Sequence, residues 1–291
     1  MYLENVNKLL LNDREIKPYL EQITPRPAQL YSLGEDPRTW LALPKVAVVG
    51  SRKATPYGRA VTKQLVEALS RRGVVIISGL ALGIDSIAHQ TAISAGGLTV
   101  AILPTPLDSI YPASHLGLAR QIIDSGGCIL SEYPPGAPVY QVNFIARNRI
   151  VSGLADILLI TEAVAKSGTM HTARFALEQG KTVMAVPGNI SSPSSEGCNN
   201  LIKSGAIPVT NAGDILFALG IKESPEPRLP DLSKFSEHQQ TLLKLISKGM
   251  SDQEDLAINS KLDGAQVVSA LTGLELSGAV RPEGAGRWTL S

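Results

Sequence analysis

Lys45-Val46-Ala47-Val48-Val49-Gly50-Ser51-Arg52-Lys53-Ala54-Thr55-Pro56-Tyr57-Gly58, residues 45–58, is the stretch whose reading decides the fold. It begins as a short apolar run, the pattern of a strand buried on both faces. The run stops at Gly50, two cations follow, and Thr55 and Pro56 have the chemistry of an N-cap and a first helical residue. In open α/β sheets, ligands bind outside the carboxyl ends of the strands. Arg52 and Lys53 therefore stand at the mouth of such a crevice, beside helix-terminal N–H groups that favour an anion. That combination predicts a ligand that carries phosphate.

Strand and helix alternate outward from this stretch. Val61, Leu65, Ala68 and Leu69 recur at helical spacing up to Gly73, and strands are predicted at 74–77, 98–103, 128–130, 156–161 and 182–186. Helices are predicted between them, at about 85–95, 114–125, 143–153 and 169–179, with shorter elements over 199–217. This rhythm calls for a mostly parallel sheet with helices on both faces. Residues 1–30 show no sustained period and read as a lead-in, and 31–43 reads as an irregular approach to the first strand.

Lys222 to Asp231 reads KESPEPRLPD, a charged segment with three prolines that has the composition of a linker. Beyond it, three helices are predicted at 235–246, 252–258 and 264–276, then a hairpin over 280–290 with Gly284, Ala285 and Gly286 at its turn. That order resembles a winged helix. Residues 233–291 nevertheless hold six Lys/Arg against seven Asp/Glu, a poor electrostatic footprint for a duplex groove reader. Protein docking or regulation, duplex binding and inert packing all stay open for this part.

Bulk properties narrow the function. The chain has 291 residues, 44% hydrophobic and 18% charged, with a formal net charge of +1. That composition argues against disorder, and nucleic-acid contact would have to come from a local patch. No signal peptide or membrane span is evident, so a cytoplasmic location without membrane contact is expected. Cys128 and Cys198 give neither a disulfide framework nor a thiolate metal site.

Several constellations could carry chemistry. Arg52 occupies the place where a dinucleotide fingerprint needs its second glycine, and no G-x-x-x-x-G-K-[ST] run occurs. Gly79 and Gly83 flank a second strand-to-helix junction, with Asp85 in position to cap the helix; the loop either reverses the chain or offers N–H groups to a phosphate. Phe144, Arg147, Asn148 and Arg149 share one helix, where two guanidiniums and an amide can fan around a rim and the phenyl ring can lie under a base. The competing reading pairs Arg147 or Arg149 with an internal acid such as Asp85 or Glu162, one arginine structural and one exposed being the compromise. Lys166, Ser167, Gly168 and Thr169 form a third junction, and Pro187-Gly188-Asn189 a fourth at the same end of the sheet. His89, His115 and His171 are histidines without a nucleophile elbow or metal-ligand spacing, so no catalytic residue, metal or cofactor is assigned.

The motifs Gly50-Ser51-Arg52, Ser78 to Asp85 with His89, Ser131-Glu132-Tyr133-Pro134, Arg147 to Ile150, Lys166 to Thr169 and Ala185 to Gly188 together resemble the bacterial DNA-processing protein A (DprA/Smf) family. The resemblance spans about 45–215 in the family's order. It implies an extended Rossmann-like core at 45–219 after a lead-in at 1–44, a linker at 220–232 and a winged-helix-like domain at 233–291. It further implies sequence-independent binding of single-stranded DNA, loading of RecA recombinase during natural transformation or recombination, and a homodimer. By the same resemblance Arg52 is expected to be a principal phosphate ligand, and Lys166 lies in a family motif at the same rim. This chain has Phe144-Ile145-Ala146 where relatives often show Phe-Pro. Only about forty residues precede the first core strand, so functions of a longer N-terminal helical domain are not carried over. The enzymatic alternative is the phosphoribohydrolase family of related architecture; there Thr172 stands where that family has its glutamate.

Overall fold

A computed structural model of the chain describes residues 7–9, 17–221, 232–247, 250–284 and 286–290. It divides into two compact units, Met1–Ile221 and Lys222–Ser291. The first unit contains, in chain order, β1 (Asn7–Leu9), α1 (Lys17–Leu20), β2 (Leu30–Gly34), β3 (Lys45–Gly50), α2 (Pro56–Ser70), β4 (Val75–Ser78), α3 (Ile84–Ser94) and β5 (Thr99–Leu103). It continues through α4 (Leu116–Asp124), β6 (Cys128–Ser131), α5 (Val142–Leu154), β7 (Ile157–Glu162), α6 (Gly168–Glu178), β8 (Thr182–Ala185), α7 (Pro193–Lys203), β9 (Ile207–Pro208) and α8 (Ala212–Ala218).

These strands form one nine-stranded sheet in the order β1-β2-β6-β5-β4-β3-β7-β8-β9. From β6 to β9 every pairing is parallel, while β1 with β2 and β2 with β6 are antiparallel. The alternation of a doubly covered strand is visible along β3. Val46 and Val48 enter a core with α2 and α3, and Ala47 and Val49 enter the opposite core with α5 and α6. A third cluster under α4 gathers Leu33, Leu80, Leu107, Leu118 and Ile122.

The segment 31–43 is not wholly irregular. Leu30–Gly34 is a strand, registered as Tyr31↔Ser131 through Gly34↔Cys128 against β6. Leu30 and Leu33 are buried. Five residues that include a tyrosine, a serine and a glycine give a weak local signal, and it is β6, about one hundred residues away, that supplies the pairing.

The second unit contains α9 (Glu237–Ser247), α10 (Gln253–Ser260), α11 (Gly264–Leu276) and an antiparallel hairpin of β10 (Val280–Gly284) and β11 (Arg287–Leu290). Asp252 caps α10, and Asp263 with Gln266 closes a capping box on α11. Leu242, Leu243, Leu256, Val267, Leu271, Leu274 and Val280 form its core. The linker expected at 220–232 falls mostly on 222–231, outside the described residues.

Candidate nucleic-acid interface

The strand order reverses between β3 and β7: β3 leads through α2 to β4 on one side, and β7 leads through α6 to β8 on the other. Such a switch point leaves a crevice at the carboxyl ends of the two strands. The Gly50–Thr55 loop forms one wall. Ser51 N–H donates to the Glu162 carbonyl at 2.8 Å, and the Ser51 hydroxyl accepts from Lys53 N–H at 3.1 Å, tightening the turn. Thr55 caps α2 by accepting from Gly58 N–H at 3.2 Å, and its own hydroxyl donates to Glu162 Oε2 at 2.6 Å. Gly58 is required there, because a Cβ would collide with the Glu162 carboxylate. What this scaffold presents outward is Arg52 and Lys53, both exposed, whose head groups have no hydrogen bond or ion pair among the described residues.

The opposite wall is the start of α6. Lys166 is exposed, and Ser167 occupies the N-cap without a side-chain capping bond, its Oγ buried and unpartnered. Thr169 Oγ1 donates to the Gly50 carbonyl at 3.2 Å, and Asn148 Nδ2 reaches the Gly168 carbonyl at 3.5 Å. Gly50, Asn148, Gly168 and Thr169 are therefore brought together across the switch point.

Beside Arg52 lies a small cleft of about 50 Å³, lined by Arg52, Gly79, Ala81, Leu82, Pro104, Tyr111, Pro112, Phe144 and Arg147. Tyr111 stands edge-on to Phe144, ring centroids 5.0 Å apart and planes at 83°. One ring is half-exposed, the arrangement of an aromatic wall on which a base can stack. A larger cavity of about 410 Å³ under α4 touches none of these residues and is lined mainly by apolar side chains.

The two arginines of α5 do not fan around the rim as expected. Arg149 is 5% exposed; its Nη2 lies against both carboxylate oxygens of Glu132, at 2.7 and 2.8 Å, while its Nε donates to the Pro25 carbonyl. It ties α5 to the β6 exit and the N-terminal segment, and its partner is neither of the acids proposed from sequence. Arg147 is also 5% exposed; its Nη1 donates to the carbonyls of Gly79, at 2.6 Å, and Ile102. It forms the floor of the cleft. Burial lowers its pKa to about 10 against the opposing charge of Asp85. Neither of the two is the exposed member that sequence reasoning expected, because α5 is enclosed on more than one side.

The 79–83 loop also differs in detail. Asp85 does not cap α3: it is a buried residue of the first turn whose Oδ2 accepts from the amides of Gly79, at 3.1 Å, and Ala81, at 3.4 Å. Burial raises its pKa, with Arg147 the first influence in the other direction. Those two amides are thus occupied and do not point at a ligand. Gly79 lacks room for a Cβ, which would sit 2.6 Å from the Arg147 guanidinium, and Gly83 at φ +81° is packed on the Ser51 and Arg52 backbone.

Of the histidines, His89 is wholly buried with its Nδ1 2.6 Å from Thr99 Oγ1, and burial lowers its pKa to about 3. His115 contacts the Leu80 carbonyl at 2.8 Å. Among the described residues no cluster of three His, Cys, Asp or Glu could hold a metal ion. Sequence reasoning does not single out Tyr111 or the Arg149 partner Glu132 as site or support residues, and it weighs His115 only as a catalytic candidate. Glu132 lies in a motif noted above, whereas the isolated Tyr111 between prolines carries no local signal.

Fold and site together define an α/β protein of the doubly wound class with exposed cations on both loops of its topological switch point and a small cleft beside one of them. The family model described as DNA recombination-mediator protein A matches residues 7–220, and the chain belongs to that family. It is 40% identical over 241 residues to protein Smf of Escherichia coli, covering 80% of this chain and 64% of that protein. It is 36% identical to DNA processing protein DprA of Bacillus subtilis, covering 74% and 72%. Among solved structures, DNA processing protein A of Streptococcus pneumoniae superposes with a TM-score of 0.68 at 37% identity, covering 74% of this chain and 75% of that one. That of Helicobacter pylori, a structure concerned with its single-stranded DNA binding mode, gives 0.66 at 33% identity over 74% and 95%.

Proposed function

We propose that this chain binds single-stranded DNA without reading its sequence and, as a member of its family, hands that strand to the RecA recombinase in transformation or recombination. The observation that carries the reading is Arg52: exposed and unpartnered at the switch point, beside a cleft walled by Phe144 and Tyr111. Phosphates are held by Arg52, Lys53 and Lys166 with the uncapped start of α6, and bases stack on the aromatic pair. Gly50, Gly79, Gly83, Ser51, Asn148, Ser167, Gly168 and Thr169 shape the rim; Arg147 and Arg149 support it from below. A homodimer would set two such modest patches along one strand and raise apparent affinity through effective concentration.

The unit after the linker has the helix order and terminal hairpin of a winged helix. With its near balance of charge, we assign it to docking or regulation rather than to duplex binding, so a chain truncated within 222–231 keeps its affinity for single strands. No helix among the described residues is long and apolar enough to cross a membrane. The phosphoribohydrolase alternative lacks support: Thr172, where its glutamate would stand, is 2% exposed, and Asp85 and Glu162 are committed to loop amides and a helix cap.

The test is a salt-dependent comparison of single-stranded DNA, duplex DNA and mononucleotide binding by the intact protein. Single strands should bind tightest, with affinity falling linearly in log salt. Equal or tighter binding of mononucleotide, or a salt-independent affinity, would reject the reading.

A further inference from the structure

Three side chains outside the cationic rim converge on one short loop. Leu80, wholly buried in the core under α4, has φ +56°, the left-handed region that a branched residue occupies only under constraint. Its surroundings supply that constraint. Asp85 accepts from the amides on both sides of Leu80, Arg147 donates to the Gly79 carbonyl, and His115 Nδ1 meets the Leu80 carbonyl at 2.8 Å. A carbonyl only accepts, so His115 carries a proton on Nδ1. The far end of the loop is bound to the Arg52 turn: Ile84 N–H donates to the Ser51 carbonyl at 3.1 Å, and Gly83 packs on the Arg52 backbone.

We propose that Asp85, Arg147 and His115 are positioning residues that hold the 79–83 loop in its strained conformation and thereby aim Arg52 at a DNA phosphate without touching the strand. The proposal rests on the single-stranded DNA reading above. Strained backbone persists where its surroundings over-determine it, and a binding group fixed in advance loses less freedom on association. Removing one member of the clamp therefore weakens binding while the number of phosphates neutralised stays the same. A residue that itself held a phosphate would change both.

The experiment uses the full chain and two readouts: hydrogen exchange at the Gly79 and Ala81 amides without DNA, and affinity for an oligothymidylate of about thirty nucleotides across a salt series. His115→Ala and Arg147→Lys should speed exchange at these amides about tenfold or more. Affinity should fall about three- to tenfold with the salt slope of the wild type. His115→Asn, whose amide nitrogen replaces Nδ1 as donor, should restore both to within about twofold. Arg52→Ala, by contrast, should make the slope shallower by about 0.7, one phosphate on a single strand. His115 is half-buried on the surface of the α4 entry, so its variants test the idea even where Arg147→Lys fails to fold. If the wild type binds and His115→Ala leaves amide exchange unchanged, or lowers the slope, the positioning role falls by itself. If the wild type does not bind oligothymidylate, the single-stranded DNA reading falls and takes the positioning role with it, whatever the amides do.

Discussion

Arg52 and the arginine pair of α5 are the same side chain in opposite circumstances. Arg52 leaves a turn after β3, exposed and unpartnered, whereas Arg147 and Arg149 are each 5% exposed and hydrogen-bonded to carbonyls or a carboxylate. A guanidinium serves as a ligand for phosphate only where its donors are still free. Where they are consumed by the fold, the same group becomes a brace, and its charge makes losing a partner costly. On that difference the candidate site has two layers, a buried one whose donors are taken up by the fold and an outer one whose donors are free.

The largest effect is expected in the buried layer. Glu132→Gln leaves Arg149 without its carboxylate and should destabilise the first unit by about 3–5 kcal/mol, read by denaturant unfolding. A loss below about 1 kcal/mol would show that the Glu132 carboxylate is dispensable and that the carbonyl bonds of Arg149 suffice to hold it. Arg52→Ala should do the reverse: affinity for single-stranded DNA down about tenfold to a hundredfold, the worth of charge-assisted hydrogen bonds, with unfolding free energy changed by less than about 0.5 kcal/mol. Unaltered affinity in a polarisation titration would remove Arg52 from the interface.

Acid acts on another buried group. His89 has a pKa of about 3 in the folded chain against an ordinary value near 6.5. Between those values the unfolded chain binds a proton that the folded chain refuses, so stability is full above pH 6.5 and declines as pH falls. At pH 5 the loss is about 2 kcal/mol, and His89→Gln should flatten the profile. A wild-type profile that is already flat from pH 7 to 5 would contradict the buried neutral imidazole. The smallest effect belongs to Lys166→Ala, an exposed cation whose loss should weaken binding about two- to fivefold with a shallower salt slope. An unchanged slope would place Lys166 off the strand.

Much of the architecture was legible locally. The apolar runs of β3 to β8 are short and bounded, and the Thr55 cap with Pro56 at the first helical position appears as the chemistry predicted. β2 was not legible, because a five-residue strand with Tyr31, Ser32 and Gly34 acquires its hydrogen bonds only from β6. The candidate site was legible as a set of loops and not as a set of roles. Asp85 looked like a helix cap and turned out to bind the amides of the preceding loop, and Tyr111 became half of an aromatic wall only when Phe144 arrived from α5.

By itself, the amino-acid sequence determined the βαβ order, the glycines at the turns and the cations at the carboxyl ends, since these depend on residues close along the chain. Which arginine remains free for a ligand was decided only by the tertiary structure. A side chain's charge is local, but the acceptors that take up its donors come from other strands and loops, Glu132 for Arg149 and the Gly79 and Ile102 carbonyls for Arg147.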